Sequence, residues 1–211
     1  MFESTVRNDG GKHQQDTYTG VVPRYDLPNA APEPLRAIQR FVNTVDLEHE
    51  REWLATPGDL ANLLVELGLD PGTEPTTGDL RRARAFREAL RALLRGHTER
   101  AAPSAAAVAV VNDVARQGAL TPEFDAVGLL RLVPRRSGVP GALAGLVAIA
   151  AEAVPDGTFE RLKACRKCGF VFYDYSRSRT AGWCSMAICG NRLKTRRYRE
   201  RLAARRAGSH R

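Results

Sequence analysis

Four cysteines in two close pairs constrain this chain more than any other feature of its sequence. Two residues separate Cys165 from Cys168, fifteen residues follow, and four residues separate Cys184 from Cys189. They are all the cysteines of the chain, and they fall within 25 residues. Four thiolates in two close pairs make a tetrahedral all-sulfur set, which is typical of a structural zinc ion. The sequence therefore predicts that these four cysteines bind Zn²⁺.

Two disulfides, a redox-active dithiol and four unrelated buried thiols are the alternatives to a metal site. The chain opens with Met-Phe-Glu-Ser and lacks the basic and apolar segments of an export signal. We therefore expect a reducing compartment, where paired cysteines are more often ligands than bridges. Ligand type alone leaves iron open as the metal. A catalytic zinc is not expected, because four cysteines fill its coordination sphere and leave no position for water.

The local sequence predicts how each pair is presented. The spacing of Cys165 and Cys168 suits a tight knuckle, and Gly169 supplies the backbone freedom that such a turn needs. Residues five apart lie within about one and a half helical turns, so Cys184 and Cys189 fit the start of a helix.

A strand is predicted at residues 169–175, directly after the knuckle. We expect it to pair with the segment that reaches Cys165, giving a hairpin that holds the first two ligands. A finger of about 45 residues has too small a core to fold alone, so metal and aromatic side chains must supply its stability. The aromatic residues expected to pack around the metal are Phe170, Phe172 and Trp183.

The residues around the second pair resemble a known family. Trp183 precedes the third cysteine, and residues 190–192, Gly-Asn-Arg, follow the fourth. The segment FYDYSRSR at 172–179 lies upstream of them. This pattern resembles the CGNR zinc finger over residues 161–201. One departure is the first knuckle, which often has four residues between its cysteines in that family and has two here.

The chain upstream of the finger resembles a second family. Residues 41–46, FVNTVD, are similar to the Asn-Thr signature near the start of ABATE domains. CGNR proteins often carry an N-terminal ABATE domain and are described as stress-induced transcription regulators. The resemblance implies a bacterial-type regulator whose N-terminal domain senses a small ligand or a partner.

Charge is divided unevenly along the chain. Residues 161–211 hold 15 Lys or Arg and two acids, whereas the whole chain has a net charge of +8. The last 51 residues therefore carry +13 and residues 1–160 carry −5. Because a polyanion is the natural partner of so basic a segment, we expect the finger to bind nucleic acid, with double-stranded DNA as the first candidate.

Beyond the fourth cysteine, a basic helix is predicted to about residue 204. Arginine dominates it, and the planar guanidinium group can hold a phosphate or the edge of guanine through two hydrogen bonds. The loop at 176–179 adds a second basic element. Base readout is expected from Arg192, Lys194 and Arg196, which are nearest the metal. The predicted nucleic-acid contacts are Arg177, Arg179, Arg192, Lys194, Arg196, Arg197, Arg199 and Arg201.

The body of the chain, residues 33–154, reads as a mainly helical bundle with one small β-hairpin. Thr56, Thr76 and Ser104 are of the residue types that commonly cap helix N-termini. Residues 96–97 are expected to end the helix that begins after Thr76. The predicted fold class is thus mainly α, followed by a four-cysteine finger built from a hairpin and a basic helix. The expected organisation is a flexible arm at 1–32, an ABATE-like domain at 33–157 and the finger at 158–211.

Two features of the body suggest ligand binding. Asn43 and Asp46 lie on the first predicted helix, residues 33–46, and mark a candidate ligand site; alternatively, they cap the helix end or face solvent. A run of arginines along the third helix, 81–95, either binds an anion or forms a solvated face. A Pro-Asp-Gly link at 155–157 would let the body and the finger move somewhat independently.

The sequence as a whole predicts a zinc-dependent, DNA-binding transcription regulator that is not an enzyme and lies in the cytoplasm with the nucleoid. An RNA-binding or ribosome-associated zinc protein is the main alternative, and an enzyme with the finger as a targeting arm is the second. No apolar run approaches the roughly 18 residues of a membrane span. A homodimer would let two fingers read a two-fold site, but no heptad pattern supports one.

Overall fold

Helices dominate residues 29–191, the part of the chain that the computed structural model describes. The helices are α1 (Leu35–Val42), α2 (Pro57–Glu66), α3 (Thr77–Glu99), α4 (Ala105–Gln117) and α5 (Gly138–Glu152). The described strands pair as two-stranded antiparallel sheets: β1 (Val45–Asp46) with β2 (Arg51–Glu52), β3 (Leu120–Phe124) with β4 (Leu130–Pro134), and β5 (Leu162–Ala164) with β6 (Val171–Tyr173). The mainly α class with small hairpins is confirmed. Within these residues no helix is both long enough and apolar enough to cross a membrane.

The helix starts follow the capping residues that the sequence indicated. Thr56 and Thr76 accept hydrogen bonds from the backbone N–H of Asp59 and Asp79, and each aspartate accepts the threonine N–H in return. Ser104 caps α4 by accepting from the backbone of the third helical residue. These bonds satisfy donors that have no partner inside the helix, so local sequence is enough to fix where α2, α3 and α4 begin.

The end of α3 differs from the prediction. The helix continues past Gly96 to Glu99, and Arg100 closes it in the left-handed conformation with φ 56°. A Cβ at Gly96 would lie 2.8 Å from the carbonyl oxygen of Ala101. The glycine therefore does not end the helix; it makes room for the chain that turns back across the last helical turn.

The hydrophobic core lies between α1, α3 and α5. Phe41 and Phe86 are fully buried, with ring centroids 5.7 Å apart, and Leu90, Leu143 and Leu146 complete the centre. Burying each such side chain contributes about 1.5–3 kcal/mol.

The β5–β6 hairpin completes this core and does not form a separate one. Leu162, Ala164, Val171 and Tyr173 belong to the same buried cluster as the helices. β5 packs against α3 and β6 against α1. The link at 155–157 therefore does not separate body from finger as the sequence suggested, because the chain after it turns directly into the shared core.

Candidate metal centre and the finger surface

The four cysteine sulfurs converge on one point. All four Sγ atoms lie within 4.8 Å of one another. The Cys168–Cys184 distance is 3.7 Å, and the Cys184–Cys189 and Cys189–Cys168 distances are 3.6 Å. Thiolates held about 2.3 Å from a tetrahedral zinc ion would be about 3.8 Å apart. Cys165 and these three residues therefore have the spacing of a closed four-sulfur metal site.

The four thiols do not ionise independently. Hydrogen bonding from Cys168 lowers the pKa of the Cys165 thiol well below its usual range. Hydrogen bonding with Cys165 raises the pKa of both Cys184 and Cys189. Full ionisation would place four negative charges side by side, which is unfavourable unless a cation lies between them. A divalent metal would replace the thiol protons, so we expect binding to release protons and to strengthen with rising pH.

Aromatic side chains enclose the sulfur cluster as predicted. Phe172 is fully buried with Cys165, Cys184 and Cys189, and Phe170 and Trp183 pack against this group. Cys168 is the half-exposed ligand. The metal site thus forms a small apolar cluster of its own beside the main core.

The first pair lies on a knuckle that joins β5 to β6. The Gly169 N–H donates to the Cys165 carbonyl at 3.0 Å, and the Cys165 N–H donates to the Phe170 carbonyl at 2.8 Å. Gly169 has φ +71°, and a Cβ there would lie 2.8 Å from Leu47 Cδ1. The left-handed backbone favours glycine, as predicted, whereas the exposed Leu47 side chain could move away from a Cβ.

The second pair is presented by a π-helical turn, Met186–Gly190, where the sequence predicted the start of a helix. The N–H groups of Cys189 and Gly190 both donate to the Ser185 carbonyl, at 2.9 and 3.0 Å. The Ser185 hydroxyl caps the turn by accepting from Ile188 N–H at 3.3 Å. This wider turn brings Cys189 back beside Cys184.

Arginines of α3 hold the knuckle against the body. Arg91 donates to the Gly169 carbonyl at 2.7 Å and to the Val42 carbonyl at 2.6 Å. One turn earlier on the same face, Arg87 binds β2 instead of the knuckle: it donates to both carboxylate oxygens of Glu52, at 2.7 and 2.8 Å. The side chains of Arg87 and Arg91 are only 5% and 6% exposed, so the predicted solvated face is wrong at these two positions. Their spacing of four residues is the sequence signal that marks a shared helix face.

A buried ion pair, which the sequence analysis missed, orders the loop before the third cysteine. Lys163 Nζ lies 2.7 Å from Asp174 Oδ2, with side chains 4% and 1% exposed. The carboxylate also accepts from the N–H groups of Ser176 and Ala181 and from the Ser176 hydroxyl. Lys163 donates in addition to the Arg179 carbonyl at 2.6 Å. One charge pair thereby fixes both ends of the 174–181 loop.

The predicted nucleic-acid residues divide into two groups. Arg177 and Arg179 lie in the 174–181 loop, and both are exposed. Arg179 has φ +52°, held in place by the bond from Lys163 to its carbonyl. The loop thus presents two guanidinium groups from an ordered backbone. The remaining predicted contacts, and the basic helix that carries them, lie outside the described residues: Arg192, Lys194, Arg196, Arg197, Arg199 and Arg201.

Comparison with known families assigns both parts of the chain. The ABATE model, whose description is "Putative stress-induced transcription regulator", matches residues 35–157. The chain belongs to the ABATE family. The CGNR zinc-finger model matches residues 161–202, which include the four cysteines. No curated protein shows significant similarity to the chain.

In the ABATE domain, Asn43 binds the finger. Its Nδ2 donates to the Val171 carbonyl and its Oδ1 accepts the Val171 N–H, both at 2.8 Å. The side chain is buried and pairs with β6 as a neighbouring strand would. Gln39 adds a bond from its Nε2 to the same carbonyl at 3.1 Å. Asn43 is the C-cap residue of α1, as one alternative from the sequence expected, but its buried side chain binds β6 and does not face solvent.

Asp46, the other candidate ligand residue of the ABATE domain, caps a turn. Its Oδ1 accepts the N–H groups of Glu48 and His49, and its Oδ2 lies 2.8 Å from His49 Nδ1. Asn43 and Asp46 line a cavity of about 20 Å³ beside Cys168. That volume holds about one water molecule, so the cavity as it stands does not support a site for a metabolite.

Proposed function

We propose that this protein is a zinc-dependent transcription regulator that binds double-stranded DNA through its finger. The observation that carries the proposal is the four-sulfur centre, set within a segment of net charge +13. Zinc is the metal favoured by a closed set of four thiolates, with Cys165, Cys168, Cys184 and Cys189 as its ligands. Its role is structural, because four protein ligands leave no open position for a reacting molecule. No catalytic role is therefore proposed.

The exposed loop supports contact with DNA. Arg177 and Arg179 project from a backbone that the Lys163–Asp174 pair holds in place, so little order has to be gained when the loop meets a phosphate. The sequence places further arginines directly after the fourth cysteine. We assign base readout to Arg192, Lys194 and Arg196, and phosphate contacts to the other basic residues.

The packing of finger against body supports a sensing role for the ABATE domain. α3 contributes Arg91 to the knuckle and packs against β5, so a shift of this helix would move the metal centre with it. Residues 1–160 have a net charge of −5 and are repelled by DNA. This repulsion favours an orientation in which the finger faces the DNA. A regulator of this kind would act in the cytoplasm, at the nucleoid.

Replacing Arg177 and Arg179 together by Ala is expected to weaken DNA binding and to flatten its dependence on salt. Each lost phosphate contact lowers the slope of log K against log [salt] by about 0.9, so the double variant should lose about two units of slope. Fluorescence anisotropy of a labelled duplex at several KCl concentrations measures this.

The matched control replaces Arg81 and Arg116, two exposed arginines of the ABATE domain, by Ala. It removes the same charge far along the chain from the finger and should leave the slope nearly unchanged. An unchanged slope in the finger variant, or an equal loss in the control, would show that the loop does not meet phosphate.

A further inference from the structure

An open groove of about 600 Å³ lies where the end of α3 faces the finger. His97, Arg100 and Pro103 line it from the ABATE side, and Lys163 and Arg179 line it from the finger side. Small-molecule sites commonly have volumes of about 300–1,000 Å³. A molecule bound here would touch both parts of the protein at once.

The groove carries an excess of positive charge. Its lining includes three cationic side chains and one acidic side chain, Glu160. Lys163 is balanced by Asp174. Among residues 29–191, Arg100 forms no salt bridge, whereas Arg179 interacts electrostatically with Asp156 next to the groove. Arg100 therefore offers an unpaired guanidinium group to an anion, and Arg179 offers a second one whose charge is partly balanced.

Lys163 adds a hydrogen-bond donor to the two arginines of the groove. Its Nζ has three N–H groups and uses two of them, for Asp174 and for the Arg179 carbonyl. His97 Nδ1 already donates to the Leu162 carbonyl at 2.9 Å, so that N–H is not available to a ligand. The remaining Lys163 N–H, next to the arginine side chains, suits an oxygen of a phosphate or a carboxylate.

The backbone of both arginines is strained. Arg100 has φ 56° and Arg179 has φ 52°, a region that costs a residue with a side chain about 1–2 kcal/mol. Strained residues of this kind often occur at ligand sites, where the conformation directs a side chain. Here the two strained arginines lie on opposite walls of one groove.

Apolar residues complete the lining and indicate the rest of the ligand. Leu93, Ala101 and Pro103 lie on the ABATE side of the groove. Apolar surface with a few convergent polar groups is the usual composition of a small-molecule site. The lining therefore fits a molecule with an anionic group and an apolar part.

We propose that this groove binds a small molecule carrying a phosphate or carboxylate group, and that this molecule competes with DNA for Arg179. The competition rests on the proposed function, which assigns Arg179 to DNA, whereas the binding of the ligand does not. One guanidinium group cannot hold both anions, so each ligand weakens the other by the same factor.

The binding test uses the full-length, zinc-loaded protein and two probes, phenyl phosphate and benzoate, with benzyl alcohol as a neutral control. Isothermal titration calorimetry should give saturable binding of at least one anion and none of the alcohol. Arg100→Gly removes the charge and accepts the same φ, and it should weaken anion binding about tenfold or more. Arg116→Ala, an exposed arginine of α4, should bind as the unmodified protein does. No saturable binding of either anion, or equal binding by Arg100→Gly, would overturn the proposal.

The competition test repeats DNA binding with and without the tighter probe. The probe should weaken DNA binding by the unmodified protein and have little effect on Arg100→Gly. If Arg100→Gly binds DNA more weakly with no probe present, the groove is part of the DNA surface and the small-molecule proposal is wrong. If the probe binds in calorimetry but DNA does not bind under any condition, the proposed function fails while the ligand site stands.

Discussion

Replacing Cys184 by Ser is expected to release the metal and to destabilise the ABATE domain together with the finger. One thiolate fewer opens the closed site, and structural zinc sites contribute about 10–16 kcal/mol in apparent binding free energy. That is comparable to the whole stability of a typical domain, about 5–15 kcal/mol. The link at 155–157 suggested from the sequence that the two parts move somewhat independently, but Leu162 and Val171 of the finger are fully buried in the body's core. Unfolding the hairpin would expose that core.

Two measurements on Cys184→Ser check this expectation. Metal content after dialysis against a mild chelator should fall from one zinc per chain to nearly none. Thermal unfolding followed by far-ultraviolet circular dichroism should show a lower midpoint for the helical signal. Met186→Ser is the matched control, because Met186 is 52% exposed and lies in the turn between Cys184 and Cys189 without supplying a thiolate. A helical midpoint equal to that of the zinc-loaded protein would contradict the shared core.

Replacing Asp174 by Asn is expected to lower the free energy of unfolding by about 3–5 kcal/mol, because it leaves the buried Lys163 charge without its partner. Asp113→Asn is the matched control. It breaks a pair with Arg116 in which both side chains are more than half exposed, and it should cost about 0–1 kcal/mol. Denaturant unfolding of both zinc-loaded variants at pH 7 makes the comparison. Equal costs would mean that the buried pair has no special role.

The same pair gives an expected dependence on pH. Burial raises the pKa of Asp174, but hydrogen bonds from Lys163 and Ser176 outweigh that effect and lower it below the usual value of 3.8. A carboxyl with a lowered pKa stabilises the folded state above its unfolded-state pKa, and the contribution is lost as pH falls through the folded-state value. The difference in stability between the unmodified protein and Asp174→Asn should therefore shrink below about pH 4. A difference that does not change with pH would contradict this account.

Local patterns in the sequence were enough for the starts of α2, α3 and α4 and for the clustering of the cysteines. Capping boxes at Thr56 and Thr76 depend on residues three positions apart, and the cysteine pairs have spacings of three and five positions. Such features require no knowledge of which elements pack together. Gly96 shows the limit of local reasoning, because its role depends on a chain segment that returns to the helix after its end.

The polar residues of the body were misjudged because their partners are distant in sequence. Asn43 binds Val171, 128 residues away, and Arg91 binds Gly169, 78 residues away. From the sequence, these side chains suggested a ligand site and a solvated face. The Lys163–Asp174 pair was closer to being predictable. The β5–β6 register places Lys163 opposite Phe172, and Asp174, two residues further on, lies on the same face of the hairpin as Phe172.

The shared core also affects how the protein can be studied. Because β5 and β6 complete the cluster built by α1 and α3, a finger expressed without the ABATE domain would expose Leu162 and Val171 to water. Binding experiments therefore require the full chain. The same packing gives the ABATE domain a direct mechanical connection to the metal centre.

The most direct test of the account is selection of bound sequences from random duplex DNA, with the full-length protein at physiological salt, with and without zinc. We expect the zinc-loaded protein to enrich one motif, and we expect this enrichment to be lost when the metal is removed. Half-site spacing within the motif would report whether two copies bind together. Enrichment of no motif by the zinc-loaded protein, with RNA bound in preference to duplex DNA, would contradict it.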